Sequence, residues 1–407
     1  MQLFVDVTET FRSQRTTGVQ RVVRELARAL LLWPDVTLVA FDFSLGEYRQ
    51  LTDRQVSQFL GPQPKTSGRT SSRELPPRFR RALSWGLDVV RRFLVYPWVS
   101  LTRPTVFENL SSTDGPVTFL TAEVVGDRAR GRRLKAWAKA GIGLVFVVHD
   151  LIPWTQPGLS SLHPGDFRRY LKLLSRAKTL VAVSETTLAE VVRWQAKSAP
   201  VPGPMTRVIR IYPGFEPVVS LSGVGPNPET MPLFLCVGTI ETRKNQHRIV
   251  RVLEVLWSQG RQFRFVFAGG NSPTSGPFSR EFAALAGCGR SIEWKTDLTD
   301  SELDSLYRAA TATIYLSGTE GFGLPVVESL ARGTPCIASD RSAVGEVARE
   351  FQGCLMVDPE TPGAWAQALE AFLDDPGLRD RLVASVRKDR IRPWKTYAEE
   401  LRGELAR

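Results

Sequence analysis

LYRAATATIYLSGTEGFGLPVVESLARGTPCIASD, residues Leu306 to Asp340, contains the turn on which the fold is read. The apolar run Ala312 to Leu316 is strand-sized, and Pro325 opens a helix in its first turn, where a missing N–H costs nothing. Between them lies a loop with Gly321 and Gly323. In an open parallel sheet, ligands collect in the crevice off the carboxyl ends of the strands, where free N–H groups of the next helix face outward. The two glycines remove side chains, so the backbone can approach a polyhydroxyl ligand. Glu320 precedes the loop. Glu328 lies one turn into the helix, and helical side chains lean toward the amino end, so its carboxylate is aimed back at the crevice. A carboxylate accepts two hydrogen bonds from vicinal hydroxyls, so this pair suits one sugar and one ribose.

Upstream, the same alternation continues. Strands are predicted at Leu233 to Val237, Phe263 to Ala268 and Ile292 to Trp294, separated by helices from about Gln246, around Phe278 to Ala286, and from Asp300. Before them PGFEPVVSLSGVGPNPETMP, Pro213 to Pro232, is rich in proline and glycine and without periodicity, which is how a linker reads. The first half alternates less cleanly, with strands at Leu3 to Val7, Thr37 to Phe41, Val117 to Leu120, Leu144 to Val148 and Thr179 to Val183, and a helix over Val19 to Leu32. The predicted class is α/β, two doubly wound domains. Residues 1–213 form the first, 214–232 the linker and 233–392 the second, with a helix in 393–407 that is able to cross back to the first domain.

Composition narrows the function. The 407 residues are 43% hydrophobic and 23% charged, which excludes disorder over most of the length. No apolar run reaches the roughly 18 residues of a membrane span. The start, MQLFVDVTET, lacks the basic residues of a signal peptide, which places the expectation in the cytoplasm. Cys236, Cys288, Cys336 and Cys354 have no paired spacing and are expected as reduced core residues. The charge is uneven: residues 1–215 hold 31 Lys+Arg against 17 Asp+Glu, a net +14, and residues 216–407 hold 22 against 25, a net −3. One half therefore suits an anionic partner: nucleic acid, a membrane surface or a phosphorylated acceptor. Residues 76–103, where arginines interleave with aromatics, fit either an interfacial membrane helix or a cover over the first core.

Two further sites stand at strand ends. VGTIETRKN, Val237 to Asn245, carries Arg243 and Lys244 to the start of a helix, as a leaving diphosphate without a metal requires. His149 and Asp150 follow the buried run Leu144 to Val148, which places the imidazole in the crevice on the first domain's side. No Asp-x-Asp triplet occurs and the histidines are scattered, so no metal is expected. A glycoside hydrolase also uses two carboxylates, but it leaves the cationic loop without a purpose.

Together with TGVQRVVREL (Thr17 to Leu26), VVHDLIP (Val147 to Pro153), VAVSETT (Val181 to Thr187) and WKTYAEEL (Trp394 to Leu401), these stretches resemble the retaining GT-B glycosyltransferases of family 4, which include mannosyltransferases of bacterial surface-polysaccharide assembly. The resemblance implies two Rossmann-like domains facing across a cleft. It implies catalytic roles for His149 and Glu320, and donor binding by Gly18, Arg243, Lys244, Gly321, Phe322, Gly323, Leu324 and Glu328. The family has an arginine directly after the glycine of the phosphate loop; here Thr239 follows Gly238, leaving Arg243 as the candidate. Gln20, Arg21 and Asp150 are acceptor-side candidates. The implied reaction is transfer with retention, mannose from GDP-mannose being the leading donor and dTDP-rhamnose or UDP-glucose the alternatives. The acceptor is a saccharide, free or linked to polyprenyl diphosphate, and no cofactor is implied. The expected location is cytoplasmic, with peripheral attachment to the inner membrane face as an option. A nucleic-acid-binding protein using the basic half is the reading from another class, and it predicts steep salt dependence.

Overall fold

The computed structural model describes residues 1–13, 17–61, 115–160, 162–198, 206–215 and 230–407. The arginine-rich stretch 76–103 and most of the proposed linker fall outside them. The first sheet is formed by β1 (Gln2–Asp6), β2 (Val36–Asp42), β3 (Glu47–Gln50), β4 (Val117–Thr121), β5 (Gly143–Val148), β6 (Thr179–Ala182) and β7 (Arg207–Arg210). Its order is β3-β2-β1-β4-β5-β6-β7, parallel except where β3 turns back on β2. The second sheet takes β8 (Leu233–Val237), β9 (Arg264–Ala268), β10 (Ile292–Lys295), β11 (Ala312–Tyr315), β12 (Cys336–Ser339) and β13 (Cys354–Val357) in the parallel order β10-β9-β8-β11-β12-β13. Each sheet reverses its strand order beside its first strand, between β1 and β4 and between β8 and β11. Those two switch points are where crevices open in wound sheets.

The first-domain helices are α1 (Thr8–Arg12), α2 (Gly18–Leu30), α3 (Asp53–Leu60), α4 (Arg128–Lys139), α5 (Ile152–Thr155), α6 (Pro164–Leu174) and α7 (Glu185–Lys197). The second sheet is wound with α8 (Gln246–Ser258), α9 (Phe278–Gly287), α10 (Asp300–Ala309), α11 (Leu324–Ala331), α12 (Ser342–Phe351), α13 (Pro362–Asp374) and α14 (Leu378–Ser385), and α15 (Trp394–Leu405) ends the chain. The inner strands β1, β4, β5, β6, β8, β9, β11 and β12 are buried on both faces and therefore read as apolar runs, whereas the edge strands β3, β7, β10 and β13 are only partly buried.

α15 carries Trp394, Tyr397, Ala398, Leu401 and Leu405 on one face, all buried. That stripe packs on Val22, Val23, Leu26 and Leu30 of α2, so the last helix returns to the first domain. Full burial of each large apolar side chain stabilises the contact by about 1.5 to 3 kcal/mol. Arg402 adds an ion pair to Asp35 at 3.1 Å and lies over the Trp33 ring. The same apolar cluster continues through Phe322, Val326 and Val327 into the second domain.

Cys236 and Cys336 are buried and Cys354 is partly so, but Cys288 is exposed, which corrects the expectation for that residue. It caps the carboxyl end of α9 beyond the helix's apolar face.

Candidate functional site

The glycine loop sits at the β8/β11 switch point, and four loops converge on it. From β11 the chain runs through Ser317 to Gly323, whose left-handed backbone at φ 96° caps α11. From β8 it runs through Gly238 to Asn245, and the two loops are laced together. Arg243 O accepts from Gly318 N at 2.9 Å and from Ser317 Oγ at 3.2 Å. The buried Asn245 amide donates to Leu316 O at 2.8 Å. These bonds deliver the Arg243 guanidinium to the Glu320 carboxylate, with which it pairs, and to Glu241 at 2.6 Å. Tyr315 Oη donates to Glu320 at 2.7 Å. Burial raises the Glu320 carboxyl, but Arg243, Lys244 and the Tyr315 hydroxyl outweigh it and hold it below its ordinary value.

The other two loops come from the first domain. A Cβ on Gly321 would lie 1.7 Å from His149 O, so the second-domain loop presses on the end of β5 and only glycine fits. Ser184 Oγ, at the start of α7, donates to Gly321 O at 2.6 Å, and Thr187 Oγ1 stands 3.1 Å from both that oxygen and His149 O. Beside them Glu346 of α12 reaches across to cap α7, accepting from Glu185 N at 2.7 Å and Thr186 N at 2.9 Å. Its carboxylate also accepts from Tyr212 Oη at 2.8 Å.

The His149 ring is anchored by Nε2 at 2.8 Å from Ala122 O. A carbonyl only accepts, so Nε2 carries the proton and Nδ1 is left as an acceptor. Burial lowers its pKa, which keeps the ring neutral at pH 7. Asp150 Oδ1 accepts from Ile152 N at 3.0 Å and so shapes the loop. Its carboxyl is raised by burial, against the pull of Arg243.

At the amino end of α2, Thr17 and Gln20 form a capping box, with Gln20 Oε1 accepting from Thr17 N at 3.0 Å. A Cβ on Gly18 would be 3.5 Å from Leu324 Cδ1, so α2 and α11 meet near their amino ends. Arg21 crosses to Glu328 of α11 and ion-pairs with it. Glu328 is 4% exposed. Its second oxygen accepts from Tyr307 Oη at 2.7 Å. The Arg21 pKa is raised, chiefly by Glu328.

The structure thus gathers Gly18, Arg21, His149, Asp150, Arg243, Lys244, Glu320, Gly321, Gly323, Leu324 and Glu328 where the loops of the two domains meet. Phe322 differs: its ring is 6% exposed and packs at 5.7 Å on Tyr212, so only its backbone faces the loop. The Gln20 carbonyl is committed to its cap. The Arg243 charge is already shared between two carboxylates, and Lys244, 3.8 Å from Glu241, is the less engaged cation. Sequence reasoning did not single out Tyr307, Tyr315 or Glu346. Tyr307 and Glu346 meet partners 21 and 161 residues away, which no local spacing signals, whereas Tyr315 stands only five residues before Glu320 at the end of β11.

Residues 221–389 match the family model described as glycosyl transferases group 1. The chain is 25% identical over 399 residues to the serotype-specific mannosyltransferase WbdA of Escherichia coli, covering 91% of this chain and 42% of that protein. It is 32% identical over 170 residues to the D-inositol 3-phosphate glycosyltransferase of Corynebacterium glutamicum, covering 40% of this chain and 41% of that one. The chain therefore spans about two fifths of the length of these curated relatives. Among solved structures, sucrose-phosphate synthase from Thermosynechococcus elongatus superposes with a TM-score of 0.67 at 18% identity, covering 100% of this chain and 98% of that one. HepE of Anabaena, solved in complex with UDP and glucose, gives 0.65 at 14% identity, covering 100% and 99%. The shared property at these identities is the fold.

Proposed function

We propose that the chain, whose residues 221–389 match the model of group 1 glycosyl transferases and whose two sheets follow the GT-B arrangement, transfers a sugar, mannose from GDP-mannose in the first instance, with retention to a saccharide acceptor of surface-polysaccharide assembly. One observation carries the reading: a glycine loop at a switch point, flanked by two carboxylates and pressed against a neutral histidine of the other domain.

In this reading Glu328 accepts from the ribose diol and Glu320 from the donor sugar, held ionised by Arg243 and Lys244. The N–H groups of residues 321–324 meet the same sugar. Lys244 and the amino ends of α2 and α11 supply positive potential for the departing diphosphate, so no metal is required. His149 Nδ1 accepts from a sugar hydroxyl. No protein nucleophile is invoked, because same-face attack needs positioning and charge stabilisation rather than a covalent intermediate. Alignment with WbdA along 91% of the chain favours mannose.

The acceptor side of the reading rests on charge. Arg128, Arg132 and Lys135 of α4, with Arg169 of α6, which pairs with Asp166, outnumber Asp127 around a cavity of about 400 Å³ on the first domain. Such a face suits an anionic acceptor or the membrane surface that carries it. Among the described residues no helix is long and apolar enough to cross a membrane.

The test is a panel of GDP-, UDP- and dTDP-sugars incubated with saccharide acceptors, with and without EDTA, and the product followed by proton NMR. The expected result is a product with the donor's anomeric configuration, formed from GDP-mannose at a rate chelation leaves within about twofold. Turnover only with UDP-glucose or dTDP-rhamnose would replace the donor, an inverted product would remove retention, and turnover of none would remove the reading.

A further inference from the structure

Both oxygens of Glu328 are taken. Oε1 faces the Arg21 guanidinium and Oε2 the Tyr307 hydroxyl, at a carboxylate only 4% exposed. If Glu328 is the ribose acceptor, as the proposed function has it and on which this inference rests, the ribose hydroxyls arrive at an oxygen that a cation already holds. We propose that Arg21 changes partner when donor binds, leaving Glu328 to the ribose and pairing with the donor's diphosphate.

The charges argue for this exchange. A buried carboxylate stripped of its cation is costly, unless donors of comparable strength replace it, and two ribose hydroxyls do so through charge-assisted bonds. The displaced guanidinium then needs an anion. Its side chain keeps 35% of its surface exposed, so it has room to move. Asp300, 3.8 Å away, is 98% exposed, and a fully solvated partner is a weak one. The diphosphate is stronger: it brings two or more charges to the place where α2 and α11 meet near their amino ends. Arginine on the second turn of a helix leans toward the amino end of that helix, so a swing of its own long side chain carries the charge there.

Arg243 has no such freedom. Its guanidinium is fixed by Glu320, by Glu241 and by Thr319 O at 3.0 Å, all on the second domain. Arg21 comes from the first domain. The exchange therefore makes donor binding draw on both domains at once, with the first domain's α2 reporting on the presence of the diphosphate.

Ligand-observed NMR separates the parts, using guanosine, uridine, GDP and UDP with the full chain. Arg21→Ala is expected to tighten the nucleoside, because its competitor is gone, and to weaken the nucleoside diphosphate, so that the affinity gained from the two phosphates shrinks by about tenfold or more. Arg21→Lys, which keeps a charge, is expected to restore part of that gain and guards against a folding defect in Arg21→Ala. Equal changes in nucleoside and nucleoside diphosphate, or no change in either, would overturn the exchange. Glu328→Gln tells the two failures apart. If it weakens both ligands while Arg21→Ala leaves their ratio intact, the exchange alone falls. If it weakens neither, or if the wild-type chain binds no nucleotide, the ribose assignment and the exchange fall together.

Discussion

Arg130 and Arg21 are each surrounded by carboxylates, yet the two regions use their charge in opposite ways. Arg130 is 2% exposed and enclosed within the first domain, with Asp127 at 2.5 Å, Glu9 at 2.9 Å, Glu123 at 3.2 Å and Asp6 at 3.8 Å. Glu123 also accepts the first-turn N–H groups of Glu9 and Thr10, both at 2.8 Å, so the cluster fastens α1 to the ends of β1 and β4. It lies one residue from Ala122, whose carbonyl orients His149. Arg21 is shared between domains and a third exposed. An enclosed network fixes a scaffold, whereas a pair between domains with a partly exposed cation is able to exchange.

The comparison breaks first at Arg130. Arg130→Met leaves buried carboxylates without their cation, and chemical denaturation should show a loss of about 3 to 5 kcal/mol. A loss below about 1 kcal/mol would mean that the network is dispensable, and the contrast with the cleft would collapse.

Gly321→Ala tests the other region. The added carbon would sit 1.7 Å from His149 O, forcing the loops apart while leaving the nucleotide side of the second domain in place. Transfer should fall by about a hundredfold, as expected when reacting groups are displaced by an ångström or so, with GDP affinity retained. Unchanged turnover would show that the two loops need not touch.

The smallest effect concerns pH. Burial and the neighbouring Asp6 charge raise Glu123 from 4.5 to about 7, against the pull of Arg130. A raised carboxyl binds its proton more tightly in the folded state, so its stability contribution is full below about 4.5 and is lost as pH rises through about 7. Glu123→Gln should flatten the fall in stability between pH 5 and 8 by on the order of 1 kcal/mol, measured by thermal melting. An identical pH profile in both proteins would place the titration elsewhere.

These regions also differ in how far the sequence foretold them. The strand, glycine loop and helix at 312–331 were legible because periodicity, a proline and two glycines lie within one short window. The antiparallel edge strand Glu47–Gln50 was not, since only Tyr48 of its four residues is buried. Arg130 carried a usable signal: Arg130, Leu134 and Trp137 share one face of α4 and all are buried, so an arginine stood where an apolar residue was due. The Arg21 pair with Glu328 spans 307 positions, and no local pattern joins its members. Elements are specified by neighbours in sequence, whereas the electrostatics of a cleft are specified by neighbours in space.

The donor site itself is tested most directly by calorimetric titration of GDP, and of UDP in parallel, into the wild-type chain, Glu328→Gln and Glu320→Gln. With Glu328 on the ribose and Glu320 on the sugar, the first variant should lose about tenfold or more in nucleoside diphosphate affinity and the second should stay within about twofold of wild type. Equal affinity in all three proteins would contradict the assignment of the glycine loop and its two carboxylates as the nucleotide-sugar site.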